Sequence, residues 1–310
     1  MNLSLHPLRA VIALALLCLV PVLLPGYQTT LATLTLIYTL LAMSVDILAG
    51  YAGRTPLCHG ALFGVATYVV MYFVTTATGN PWLGALLGIA AAGVVALIFA
   101  LLAVRTTGVY FLLLTLALGM IIWGVCQRWT SVTGGENGLR GTVRPEWLAD
   151  PARFFYFVLA ITALATFAMW RFVNSPFGLS LKGIRESESR MRSLGYNSAQ
   201  HLIIAFVFSG LMAGLSGALY AWFNGFVSPS SVALAQSVKG LLIAIIGGIG
   251  TLFGSALGAI IIVLLENVVS SFTQRWSMVL GLLFVLAMIF TPEGLLGKLR
   301  QLTGRRRAAA

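Results

Sequence analysis

An all-α, polytopic membrane bundle is the fold class this sequence predicts, on three observations. Hydrophobic residues make up 59% of the 310 positions and charged residues only 9%, whereas about a quarter of a soluble domain is charged. The apolar residues gather into helix-length windows separated by short polar segments. The basic residues fall unevenly on the two sides that those windows define, which is the pattern that orients membrane proteins.

The windows are ten: Val11 to Leu24, Thr29 to Ala49, Leu57 to Val74, Trp82 to Val104, Val109 to Gln127, Phe154 to Phe172, Leu202 to Phe223, Val238 to Ile249, Leu252 to Phe272 and Met278 to Phe290. Several fall short of the ~20 residues an untilted helical span needs, so about ten spans are expected, some short or broken. The first follows a short basic start but lacks a small-residue cleavage site behind it, and reads as a retained span rather than a signal peptide. Ten spans put both termini and the polar segment 174–195 on one side. That side carries thirteen of the nineteen Lys and Arg residues, which places both termini in the cytoplasm. The whole chain, 1–310, reads as a single transmembrane domain.

Segment 174–195 is the one long, highly charged stretch bracketed by spans. Pro176 and Gly178 break what precedes, Ser180 can cap an N-terminus and Gly195 can close the C-terminus, so a helix of about four turns is expected. On it Leu181, Ile184, Met191 and Leu194 share one arc, while Lys182, Arg185, Glu186 and Arg190 lie outside it. Such a helix suits a hydrophobic groove on a soluble partner; the same residues also suit the headgroup level of membrane lipid.

The long connection on the other side, 128–153, holds Thr133, Gly134, Gly135, Asn137 and Gly138, which are turn formers and predict a compact external loop. Gly247, Gly248, Gly250 and Gly254 interrupt a long apolar run. Two half-helices lining a path, or a tight turn at the cytoplasmic surface, are the two readings of that break. Gly60 and Gly64 are echoed by Gly210, Gly214 and Gly217, small residues that let membrane helices approach closely, through duplication or chance. Asp46 and Glu266 are acids within apolar windows, read as structural pairing or snorkelling in preference to a proton relay. The seven tryptophans, Trp82, Trp123, Trp129, Trp147, Trp170, Trp222 and Trp276, fall mostly at window ends, where aromatic belts belong.

Several chemistries have no residues to carry them. The sequence contains no Gly-x-x-x-x-Gly-Lys-Ser/Thr loop, so ATP hydrolysis is not expected of this chain. His6, His59 and His201 do not cluster with other ligands, and Cys18, Cys58 and Cys126 are isolated in apolar windows, so neither a metal site nor a disulfide framework is expected. The net charge of +11 is spread over loops and does not point to nucleic acid.

Across about Ala42 to Lys298 the chain resembles LivM-type permeases of branched-chain amino acid ABC importers. The resemblance rests on Gly50-Tyr-Ala-Gly53 followed by His59-Gly-Ala-Leu-Phe-Gly64, on Gly108-Val-Tyr-Phe111, on Thr130-Ser-Val-Thr-Gly-Gly-Glu-Asn-Gly138, on Ser175-Pro-Phe-Gly178 with Ile184-Arg-Glu-Ser-Glu188 and Leu194-Gly195, on Phe226-Val-Ser-Pro-Ser230, on Gly247-Gly-Ile-Gly250 and on Pro292-Glu-Gly-Leu295. It implies a permease subunit in a bacterial inner membrane, itself without cofactor or catalysis. Its partners would be a second related permease, two ATP-binding subunits that hold ATP and Mg, and an external solute-binding protein. It implies that Leu181, Ile184, Arg185, Glu186, Glu188, Met191, Leu194 and Gly195 meet the ATPase, and that Thr133, Gly134, Gly135, Asn137 and Gly138 meet the binding protein. Branched-chain amino acids lead as the solute, with urea, amides or aromatic acids as alternatives. An ion-coupled secondary transporter is the rival class and a membrane-embedded enzyme the third. Where the family has a neutral Asn and Gln this chain has Asp46 and Arg54, and those opposite charges, eight residues apart, suggest a compensating structural ion pair. Arg190 and Met191 replace the family's small alanine pair.

Overall fold

The computed structural model describes residues 26–77, 79–141 and 143–272, with isolated positions at 17, 18, 21, 278, 279, 281, 282 and 285. Those isolated positions apart, the expected first and last spans, and Trp276, lie outside the described residues. Within them eight helices are long and apolar enough to cross a membrane, and they match the eight internal windows. They are α1 (Gly26–Asp46, continued by a π turn, Ile47–Tyr51), α2 (His59–Tyr72, with a π turn, Phe73–Ala77), α3 (Pro81–Ala103), α4 (Gly108–Arg128), α5 (Pro151–Val173), α8 (Ser198–Asn224), α9 (Leu234–Gly247, preceded by a 3-10 turn, Pro229–Ser231) and α10 (Gly254–Phe272). Two short helices, α6 (Pro176–Glu186) and α7 (Glu188–Ser193), sit between α5 and α8.

Local chemistry sets the helix starts. Three of them share one device, a capping side chain followed by proline at the first helical position. Asn80 accepts from the amides of Trp82 and Leu83 ahead of α3, Asp150 from that of Ala152 ahead of α5, and Ser175 from that of Gly178 ahead of α6. A proline there gives up an amide hydrogen that has no intrahelical partner anyway.

Helix α1 is the buried centre, packed against α5, α8, α9 and α10, while α2, α3 and α8 form a second layer. A Cβ on Gly217 of α8 would stand 2.1 Å from the Phe63 carbonyl of α2, and one on Gly60 would stand 2.4 Å from the Ser237 amide of α9. The two glycine sets therefore do the same job, close backbone approach, against different neighbours.

Two spans are broken inside the bundle. After Tyr51 the chain runs without regular structure through 52–58, and α2 begins only at His59, which is fully buried. His59 Nε2 lies 2.6 Å from Ser209 Oγ, and Ser209 in turn donates to the Ser44 carbonyl. Ser209 is eleven residues into α8, about 16 Å from its start, so 52–58 climbs well inside the protein. Irregular backbone is tolerated at that depth only where protein covers it. Here the Arg54 amide donates to the Leu48 carbonyl, and the Leu57 amide to Thr115 Oγ1. At the opposite end β1 (Leu139–Arg140) pairs antiparallel with β2 (Phe226–Val227), Leu139 opposite Val227. The chain then dips back to Val232, which packs on Gly64. Helix α9 has 14 residues, about 21 Å, and cannot cross a ~30 Å core alone.

Candidate functional site

The 174–197 segment meets the bundle where α1 unwinds. It is not one helix of four turns: Ser187 is extended (φ −160°, ψ 100°) and divides α6 from α7. Ser175 rather than Ser180 caps the first helix, and the Ser180 hydroxyl is spent on the Phe177 carbonyl. Gly195 does close the second, at φ +88°, with the Tyr196 amide reaching back to the Met191 carbonyl.

The apolar arc expected to face a partner is largely consumed by the protein itself. Leu181 and Ile184 are buried in the main core and Met191 packs against it from Gly183. The outward face instead presents Leu179, 70% exposed, with Lys182, Glu186, Arg190, Arg192 and Leu194, 68% exposed. Amphipathicity marks a helix as having an apolar neighbour without saying which one. Leu179 was legible only as the apolar residue outside the arc.

The expected Asp46–Arg54 ion pair is not what forms. Arg54 Nη2 is 2.6 Å from Glu188 Oε2, its Nη1 donates to the Thr106 carbonyl at 2.5 Å, and Glu188 Oε1 also pairs with Arg192. Asp46 Oδ1 instead accepts from the Gly250 amide at 2.6 Å, and its Oδ2 is buried without a hydrogen-bond partner. The π turn after Asp46 separates the two charges: it leaves Asp46 facing the α9–α10 turn and swings Arg54 towards the polar segment.

Arg185 stands at the centre of this junction. Its Nη1 donates to the Gly50 carbonyl, its aliphatic stem covers Gly53, where an added Cβ would be 2.7 Å from Cγ, and Nη1 comes within 3.5 Å of the Cβ position of Gly250. Lys182 adds a contact over the Tyr51 ring at 5.3 Å. Gly247, Gly248 and Gly250 form the tight turn between two antiparallel helices, Gly248 and Gly250 with positive φ. Gly50 presses against the Gly250 backbone, where a Cβ would come within 2.4 Å.

At the opposite end, loop 128–150 has the compact form expected. Gly134, Gly135 and Gly138 all have positive φ, and Thr133 Oγ1 donates to the Cys126 and Trp129 carbonyls. Of the five residues singled out only Asn137 is exposed; Thr133 and Gly135 are buried, and Gly134 and Gly138 half-buried. Arg144, not foreseen, binds this loop to the end of α8 through the Trp222 and Phe223 carbonyls and lies 4.0 Å over the Phe154 ring. Beside it opens a concavity of about 440 Å³ lined by Gly141, Arg144, Glu146, Trp222 and Asn224.

Lys239 belongs to α9. It is buried, 2.5 Å from Glu266 Oε2 of α10 and 3.8 Å over the Tyr38 ring. Glu266 thus has a cation of its own, as the pairing reading required, and no group of residues suited to a metal occurs among the described residues.

A family model described as branched-chain amino acid transport system, permease component, matches residues 27–288. The high-affinity branched-chain amino acid transport system permease protein LivM of Escherichia coli (strain K12) is 30% identical over 298 residues, covering 86% of this chain and 69% of its own. The permease protein LivH of the same description, from Salmonella typhimurium, is 24% identical, over 86% of this chain and 93% of its own. The autoinducer 2 import system permease protein LsrC of Photorhabdus laumondii is 28% identical over 41% of this chain and 39% of its own. No solved structure matches.

Proposed function

The chain belongs to the permease-component family of branched-chain amino acid transport systems, and from that premise we propose that it carries branched-chain amino acids inward as half of an ATP-driven permease pair. It is a membrane transport subunit, not an enzyme. That membership favours the permease over the ion-coupled transporter. Similarity to both LivM and LivH supports a second, related permease as partner. Two ATPases on the 174–197 side and a solute-binding protein at the 128–150 side complete the assembly, in a bacterial inner membrane with both termini cytoplasmic.

The observation that carries the reading is the α6–α7 segment. It is fastened to the unwound end of α1 by Arg54, Arg185 and Glu188, yet turns Leu179, Lys182, Glu186 and Leu194 outward. A motor that pushed this outward face would act on the broken helices behind it. Asn137 and the concavity beside Arg144 are the corresponding features for the binding protein. The test is reconstitution of the subunit in proteoliposomes with the second permease, the ATPases and the binding protein, followed by uptake of labelled leucine, isoleucine or valine. Uptake that requires ATP is expected; uptake that persists without ATP or without the ATPases would overturn the reading. Uptake of urea or an amide in place of these amino acids would replace the solute only.

A further inference from the structure

Helices α6 and α7 are not rigidly continuous, because Ser187 between them is extended. Each is nevertheless tied to the same short strip of chain. Arg185, two residues before the break, donates to the Gly50 carbonyl and covers Gly53. Glu188, one residue after the break, holds Arg54 at 2.6 Å. The strip 50–54 is the point where α1 ends and the irregular climb to His59 begins. It also lies against the α9–α10 turn, through Gly50 on Gly250 and through Asp46 on the Gly250 amide.

Of the two ties the Arg54–Glu188 pair is the sheltered one, Arg185 being exposed. Side-chain exposure is 8% for Arg54 and 20% for Glu188, so their attraction is only weakly screened by salt, unlike that of an exposed pair. Arg54 is also fixed by the Thr106 carbonyl and lies 5.9 Å over the Phe111 ring, and the second oxygen of Glu188 is held by Arg192. No other ion pair among the described residues joins α6 or α7 to the spans.

We propose that Arg54 and Arg185 are positioning residues of transport: through Glu188 and the Gly50 carbonyl they tether α6–α7 to strip 50–54, so that displacement of the segment is delivered to the unwound stretch 52–58 and to the Asp46–Gly250 contact. This rests on the ATP-driven reading above. The tether stays closed through the cycle; what moves is the strip it holds.

The experiment uses the complete importer in proteoliposomes and reads solute moved per ATP hydrolysed. Arg54→Gln, Glu188→Gln and Arg185→Gln are each expected to lower that ratio, roughly 2- to 30-fold, while ATP hydrolysis continues. Arg54→Lys keeps a cation beside Glu188 and is expected to retain more of the ratio than Arg54→Gln. A second pair of substitutions, Arg54→Cys with Glu188→Cys and with Cys18→Ser, guards against effects on folding, since native Cys58 and Cys126 are buried. Its ratio is expected to be low until a short bifunctional thiol reagent bridges the two cysteines, and then to rise. An unchanged ratio in the single variants, or a bridged protein that transports no better than the unbridged one, overturns the tether. Wild-type protein that shows no ATP-driven uptake overturns the underlying reading instead, so the two failures are told apart.

Discussion

Replacing Glu266 by Gln should damage the protein more than any other single change of charge within its spans. Lys239 would be left with its side chain 10% exposed and only the Tyr38 ring, 3.8 Å away, as a charge-stabilising neighbour. Removing one partner of a buried ion pair costs about 3–5 kcal/mol, whereas a desolvated cation over an aromatic face is worth about 2 kcal/mol. The ring contact is present before and after the change, so it does not offset the loss. Lys239→Gln should cost less, because the Glu266 side chain is 22% exposed and can turn its carboxylate outwards. Lys239→Gln together with Glu266→Gln should lie close to wild type, since no charge is left unpaired. The assay is thermal unfolding of the purified subunit in detergent, read as a double-mutant cycle over the three variants. Additive losses, or Lys239→Gln proving worse than Glu266→Gln, would refute the reasoning.

Leu181→Asp and Ile184→Asp should lower the yield of monodisperse protein, because both side chains sit in the protein's own core and an unpaired carboxylate there costs several kcal/mol. Leu179→Asp should fold normally and instead weaken co-purification with the ATPase; equal loss of folding in all three would remove the distinction. Gly138→Ala should open the β1–β2 pair, since the position has φ +66° and a Cβ would meet the Val227 carbonyl at 2.0 Å. Binding-protein stimulation of ATP hydrolysis should fall while basal hydrolysis persists, and unchanged stimulation would reduce the loop to a connector. Asp46→Asn should be tolerated within about 1 kcal/mol, because an amide oxygen can still accept from the Gly250 amide, whereas Asp46→Ala strands that donor and should cost about 1–3 kcal/mol. Thermal unfolding of the two variants separates these outcomes.

The spans and the glycine closure at Gly195 were legible because each is a local matter, a run of apolar residues or a backbone angle, whereas the cap expected at Ser180 falls at Ser175. What the sequence did not give was the partner of each charge. Asp46 and Arg54 are eight residues apart and of opposite sign, which makes a local pair the economical guess. In the structure Arg54 reaches 134 positions along the chain to Glu188, and Asp46 reaches 204 to Gly250. Of the two breaks that the pairing depends on, the extended Ser187 has neither glycine nor proline to announce it, while Gly50 and Gly53 mark the end of α1 without showing which way the chain leaves it.

The same limit governs the apolar face of α6. A stripe at helical spacing states that a helix will be covered on one side, and here the bundle covers Leu181 and Ile184 itself. On the ATP-driven reading proposed above, this would suit the segment to transmit motion better than a helix seated wholly in a partner's groove. A helix held only by the motor would move with it and leave the spans behind; one held only by the spans would give the motor nothing to push. Leu181 and Ile184 are buried beneath while Leu179, Lys182 and Glu186 stay exposed above, so on that reading the segment would have both attachments at once. The ion pair at Arg54 adds a fixed point, because dispersion contacts let a helix slide whereas a 2.6 Å charge pair between a buried arginine and a largely buried glutamate resists displacement.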